Sequence, residues 1–285
     1  MIRLSTFEDN SFEPFQTLSE ETYILLKQDC VVLTKSYAQF VVFKYLQLNL
    51  KDYADFVLEW TNVPAYKMDL MISTNIHFVL EFNKRISNVL MSFKFFLDNA
   101  ETYLKRKHGK ESKIAKDFTE LTRNLFDNSF AYRFLSKLRN YSAHLGFPLE
   151  IISFKIDFNN EVPESSKHSL QLLLNLESLK KEKDLFGSII YRNLDEMTED
   201  LDLIPLIKEL SFHIISIQKF IYFRERNELD EAIENIEMFV GSRKTKNNQI
   251  KVYTYENTDD NSTMQIFDIP YEILEEFKNT YVNWC

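Results

Sequence analysis

At 285 residues the chain is about twice the usual length of one domain, enough for one large domain or two small ones with a real core. Its 45% hydrophobic and 27% charged residues are those of an ordinary soluble globular protein and exclude a disordered or fibrous one. A net charge of −9 argues against broad, nonspecific nucleic-acid binding while leaving room for a local basic patch.

Glycine is scarce: four residues, against the roughly 20 that average usage would give. Gly109, Gly146, Gly187 and Gly241 stand far apart, so neither a G-x-G-x-x-G loop, a P-loop nor a G-x-S-x-G elbow can be written. Cys30 and Cys285 are too few for a disulfide framework or a thiolate zinc site. The five histidines (His77, His108, His144, His168, His213) show no H-E-x-x-H and no ligand-like clustering, so no metal and no cofactor is expected. The N-terminus lacks the basic-then-apolar build of a signal peptide. The most apolar stretch, 212–223, is interrupted by His213, Gln218 and Lys219 and falls short of a membrane span, which predicts a cytoplasmic protein without membrane contact.

Residues 1–18 read as polar and pattern-free, a loose arm. Residues 19–60 read as helix with an acidic start at Glu20 and Glu21, punctuated by Asn62 and Pro64. The strongest periodicity follows. Val79, Phe82, Ile86, Val89, Phe93, Phe96, Ala100 and Tyr103 recur at three- and four-residue steps, one apolar seam of a long helix. That helix ends in Lys105, Arg106, Lys107 and His108 before Gly109, as helix C-termini favour. A second helix carries Ile114, Phe118, Leu121 and Leu125; a third carries Ala131, Phe134, Leu138, Tyr141 and Leu145 and stops at Gly146 and Pro148. The phenylalanines at these spacings read as core rather than as a base-stacking platform.

The period then changes to two. Ile152, Phe154, Ile156 and Phe158 alternate with polar residues, as do Leu170, Leu172, Leu174 and Leu176, which predicts a hairpin across 159–167. Helix returns from about 198, with Leu203, Ile207, Leu210, Ile214, Ile217 and Ile221 in one stripe, where His213 reads as a core residue. A second hairpin is predicted from 250–256 and 263–267, and a short helix over 271–281. The fold class is therefore mainly α, a helical bundle with small β-hairpin decorations, α+β overall. The predicted division is an arm at 1–18, the bundle at 19–148, a hairpin insertion at 149–197, a long helix at 198–240 packing on the bundle, and a C-terminal hairpin and helix at 241–285.

One stretch carries chemistry: Leu138-Arg139-Asn140-Tyr141-Ser142-Ala143-His144-Leu145-Gly146-Phe147-Pro148. At about 100° per residue the apolar stripe of this helix centres near Leu138. Asn140 and His144, four apart, fall on the opposite face with Arg133 and Lys137, and Arg139 on the flank beside the small Ala143. A basic face on an acidic protein suits an anion such as a phosphodiester. His144 also stands at the helix C-terminus, where the macrodipole favours an imidazolium, a placement suited to general acid–base work. The structural alternatives are a surface histidine capping helix-end carbonyls and an arginine paired with a nearby carboxylate. The basic run at Lys105–Lys107 with Lys110 and Lys113 reads as a solvated helix end, and Arg243, Lys244 and Lys246 as a polar loop.

Arg139-Asn140-Tyr141-Ser142-Ala143-His144 resembles the R-x4-6-H motif of HEPN domains, and 138–148 is similar to an L-R-N-Y-x-x-H-x-G-x-P form in bacterial HEPN-like proteins. The preceding long helix, with Glu81-Phe82-Asn83-Lys84-Arg85, Asn88 and Asp98, shares in the resemblance, which spans about residues 70–148. HEPN enzymes that are inactivated at an H-x-Y tyrosine differ here, since Gly146 stands in that place.

The resemblance implies a metal-independent endoribonuclease in which the RNA 2′-hydroxyl attacks its own 3′-phosphate. His144 would move the proton, Arg139 would stabilise the developing charge, and Asn140 would orient phosphate or histidine. Arg133, Lys137, Arg85, Asn88 and Asp98 would bind substrate or brace the catalytic helix. A homodimer with a composite site is implied too, acting as a toxin or phage-defence effector with an antitoxin or defence-system partner. The rival is a noncatalytic HEPN-like module that binds RNA or a partner protein.

Overall fold

The computed structural model describes residues 1–9, 11–64, 77–157, 167–245, 247–258 and 261–281; side chains at 156–157, 167–168, 256–258 and 261–263 are not described. Residues 159–166 of the predicted loop 159–167, the strand end Phe158, Lys246, Cys285 and the His168 side chain lie outside those limits. The fold is mostly helical with two small antiparallel sheets. The chain divides into two compact units, residues 41–221 and residues 1–40 with 222–285.

The predicted order of consecutive segments is thereby corrected. Residues 1–18 are no loose arm. They form β1 (Ile2–Glu8) and β2 (Ser11–Leu18), and β1 pairs on its other edge with β6 (Gln249–Thr258), which pairs in turn with β7 (Asn261–Asp268). The sheet order is β2-β1-β6-β7. Leu4 and Leu18 are buried, and the Met1 ammonium donates to the Tyr255 carbonyl at 3.0 Å. The strand partner lies more than 230 residues away, so local pattern alone gives no sign of it. In the same unit α9 (Tyr271–Tyr281) buries Leu274, Phe277 and Tyr281, with the Phe277 ring 5.3 Å from that of Phe40. Burial pushes the Cys30 thiol up to about 12, that of an inert core residue.

Helix α1 (Glu20–Thr61) and helix α8 (Leu203–Val240) each contribute to both units. Between them in sequence, residues 41–221 hold α2 (Phe78–His108), α3 (Lys113–Asn128) and α4 (Phe130–His144). The α2 seam is buried from Phe82 to Ala100, as its spacing predicts, whereas its predicted first member, Val79 at the helix start, is exposed. It packs on α4 through contacts such as Phe93 against Tyr132, ring centroids 5.4 Å apart at 85°. Gly109 ends α2 at φ +94°, its N–H donating to the Lys105 carbonyl at 3.0 Å. Ser112 and Ser129 cap α3 and α4 through their hydroxyls.

Ser129 also donates to Glu209 Oε1 at 2.6 Å, and His213 lies 3.4 Å from the same oxygen with its ring against Tyr132. His213 is thus half-buried and partnered. Beyond α4, β3 (Ile151–Asp157) and β4 (Lys167–Leu174) form the predicted hairpin, with Ile152 opposite Leu172 and Phe154 opposite Leu170. A two-residue strand β5 (Leu201–Asp202) adds to β4. The predicted insertion at 149–197 is more than a hairpin: α5 (Leu176–Lys181), α6 (Lys183–Phe186) and α7 (Ser188–Asp195) fill its second half. Each is too short to display a helical period, and Leu176 opens α5 instead of closing β4.

One polar residue joins these parts. Asn83 of α2 is 3% exposed, and its Nδ2 donates to the Leu149 carbonyl at 3.0 Å while its Oδ1 accepts from the Leu149 N–H at 3.0 Å. That reciprocal pair fixes where the chain goes after α4. Asn83→Ala leaves both Leu149 groups buried without partners and should cost about 2 kcal/mol or more of stability. The check is the denaturant midpoint together with hydrogen exchange at the Leu149 amide; a wild-type midpoint and slow exchange would contradict the assignment.

Candidate functional site at the end of α4

Helix α4 is built from a buried stripe (Ala131, Tyr132, Phe134, Leu135, Leu138) that holds its other face outward. Phe134 stacks on Phe186 at 5.6 Å and 8°, and Tyr141 on the same ring at 6.1 Å, so α6 locks the rotation of α4. The last turn closes with the Leu145 N–H donating to the Tyr141 carbonyl at 2.8 Å. Burial, then the Glu150 and Glu182 carboxylates, push the Tyr141 phenol upward. The end of α4 therefore has acidic neighbours as well as basic ones.

His144 is exposed, and Arg139 and Asn140 are half-buried. Arg139 Nη1 donates to Asn140 Oδ1 at 3.2 Å, and the Arg139 Nε–H is buried without an acceptor. Among the described residues no carboxylate pairs with Arg139, Lys137 or His144. The structural alternative of an arginine spent on a nearby acid therefore has no support within the described chain. A guanidinium held by a neutral amide keeps most of its donors for an anion.

The other predicted arginines are different. Arg133 Nε and Nη2 donate to Asn193 Oδ1 at 3.2 and 2.9 Å, and its Nη1 donates to the Phe126 and Asp127 carbonyls at 3.3 and 3.0 Å. It ties the start of α4 to the end of α3 and to α7, so its role is structural. Arg85 lies over the Phe56 ring at 3.9 Å and pairs with Asp52 at 3.3 Å and with Glu81. It braces α2 on α1, instead of the catalytic helix α4 that it was expected to brace.

Asn88 is exposed, and its backbone carbonyl accepts from the Ser92 hydroxyl at 2.6 Å. Asp98 pairs with Lys94 on an exposed face. It lies fifteen residues, roughly 22 Å of helix, beyond Asn83 along α2. Arg139, Asn140, His144 and Lys137 all belong to α4, with Arg139 in contact with Asn140, while Arg85, Arg133 and Asp98 have partners elsewhere.

Sequence reasoning assigned no site role to Asn83. Its signal was available: it stands four residues after Val79 and three before Ile86, a polar residue on an apolar seam. Among the described residues no three His, Cys, Asp or Glu side chains converge as a metal site, and no helix is long and apolar enough to cross a membrane. No family model matches this chain, nor does any curated protein or solved structure.

Proposed function

We propose that this chain is a metal-independent endoribonuclease of HEPN type, with residues 41–221 as its HEPN-like helical bundle and the end of α4 as its active site. The observation that carries the reading is the state of Arg139. It is bonded to the neutral Asn140, free of any carboxylate among the described residues, and followed by an exposed His144 on the same helix. Arg133 and Arg85, by contrast, are committed to structure.

In the reaction the RNA 2′-oxygen attacks the adjacent phosphorus and the bond to the 5′-oxygen of the next nucleotide breaks. The products are a 2′,3′-cyclic phosphate and a 5′-hydroxyl, so no water is consumed. One His144 takes the proton of the 2′-hydroxyl and the His144 of a second copy gives a proton to the leaving oxygen. Arg139 stabilises the charge that develops on the phosphoryl oxygens, and Asn140 orients the guanidinium through the bond already formed. The biological role that fits such an enzyme is growth arrest or phage defence in the cytoplasm, held in check by an antitoxin or defence-system partner.

Purified protein should cut unpaired RNA in EDTA and leave cyclic-phosphate ends. His144→Ala and Arg139→Ala should each lower the rate at least about a hundredfold, with melting near wild type because neither lies on the buried stripe. Cleavage that requires added divalent metal, or an active His144→Ala protein, contradicts the mechanism.

One helix supplies one histidine, whereas in-line transfer is served by both an acid and a base. Two copies of α4 facing across a two-fold axis supply both around one phosphate. Light scattering should therefore find a homodimer at micromolar concentration. A monomer that cuts RNA at the full rate rules out the shared site.

A further inference from the structure

The loop that leaves α4 presents two large apolar side chains to solvent, directly after the candidate histidine. Leu145 is 52% exposed and Phe147 is 56% exposed. Isolated exposed apolar residues are common on protein surfaces. The placement of Phe147 is not that of a residue left on a slack loop.

The connection is anchored at both ends. Its start is held by the Leu145 N–H on the Tyr141 carbonyl, its end by the reciprocal Asn83–Leu149 pair. In between, Gly146 turns the chain at φ +110°, a conformation strained for any residue with a side chain. Phe147 precedes Pro148, which confines its own backbone to the extended region. Pro148 and Leu149 are buried, so the chain dives back into the core immediately after the exposed ring. Among the described residues no aromatic ring or cation covers Phe147. The fold thus spends a turn and a buried amide on a short loop that holds an aromatic face in water.

Chain geometry keeps the Phe147 Cα within about 11 Å of the His144 Cα, since only three Cα-to-Cα steps separate the two positions. That is within the reach of a nucleotide whose phosphate sits at His144 and Arg139. Every base offers a π-face, and aromatic side chains beside a cationic groove bind single strands by stacking irrespective of sequence. In an A-form duplex those faces are stacked on one another and unavailable.

We propose that Phe147 is a stacking platform for an unpaired base adjoining the scissile phosphate, so that this site takes single-stranded or looped RNA. The inference rests on the reading of the Arg139–His144 face as an RNA-cleaving site. Phe147 is a positioning residue: it touches the substrate's base and leaves proton transfer to His144.

The test pairs a protein change with a substrate change. Phe147→Ala should raise KM for unpaired RNA about tenfold, or weaken binding of a non-cleavable 2′-deoxy oligonucleotide by the same factor, with melting and dimer mass unchanged. Phe147→Tyr and Phe147→Trp should restore most of the loss. RNA with an abasic nucleotide beside the cut should lose the same factor with wild type and nothing further with Phe147→Ala, because both changes remove one stack.

Additive losses, a Phe147→Ala protein that cuts and binds as wild type, or a loss that tracks a fall in dimer mass would each overturn the stacking role. The last of these would assign the ring to contact with a second copy instead. In those cases a dead His144→Ala protein still upholds the cleavage reading. If wild type neither cuts RNA nor binds the 2′-deoxy oligonucleotide, the cleavage reading falls and the stacking role with it.

Discussion

The buried amide of Asn83 is the constraint on which the α4 region depends. A polar side chain on the apolar seam of α2 is costly unless both its donor and its acceptor are satisfied. Leu149 satisfies both with the backbone N–H and C=O of one residue, and in doing so makes the position of the chain after α4 a property of the core. From that pin the hairpin of β3 and β4 begins, and Phe154 comes to stack on Phe78 at 6.4 Å. The pin also limits how far residues 145–148 can wander, so α4 ends where it does with His144 outward. A hydrophobic residue at 83 would pack as well but would leave that exit to be fixed by loop residues alone.

The chemistry depends on which charges the fold has already used. Arg85, Arg133 and Arg139 are each a helical arginine with polar neighbours in the sequence. Packing separates them. Arg85 covers the Phe56 ring and meets Asp52, and Arg133 collects an amide oxygen and two helix-end carbonyls. Each holds two elements together, Arg133 with Nε, Nη1 and Nη2 all donating and Arg85 through its ring contact and its ion pairs. Arg139 meets one neutral oxygen, and its Nε–H has no acceptor. A buried donor without a partner is a cost of about 1–3 kcal/mol that a bound anion nearby would help to offset.

Much of this organisation is legible in the sequence. The seam from Phe82 to Ala100 repeats long enough for the helical period to dominate, and the basic turn before Gly109 marks its end. The alternation of Ile152 with Phe154, and of Leu170 with Leu172, is a period of two that only a strand satisfies. Other features are hidden for physical reasons. The β1 strand earns its place by hydrogen bonding to β6, and backbone hydrogen bonding across such a separation leaves no local pattern. The helices at 176–195 are one or two turns each and are stabilised by burial of residues such as Phe186 and Leu194, not by repetition. At the candidate site the sequence supplied Arg139, Asn140 and His144 through their spacing. For Arg85 and Arg133 it left substrate binding and bracing both open, because their partners are contributed by α1, α3 and α7.

The central claim is that Arg139 and His144 hold one phosphodiester, and a structure of the protein with a 2′-deoxy-substituted RNA tests it most directly. Removing the attacking hydroxyl leaves the phosphate in place and stops the reaction. The account predicts a phosphate within hydrogen-bond distance of the Arg139 guanidinium and of a His144 ring nitrogen. A phosphate bound elsewhere on the chain, with Arg139 still engaged only by Asn140, would contradict it.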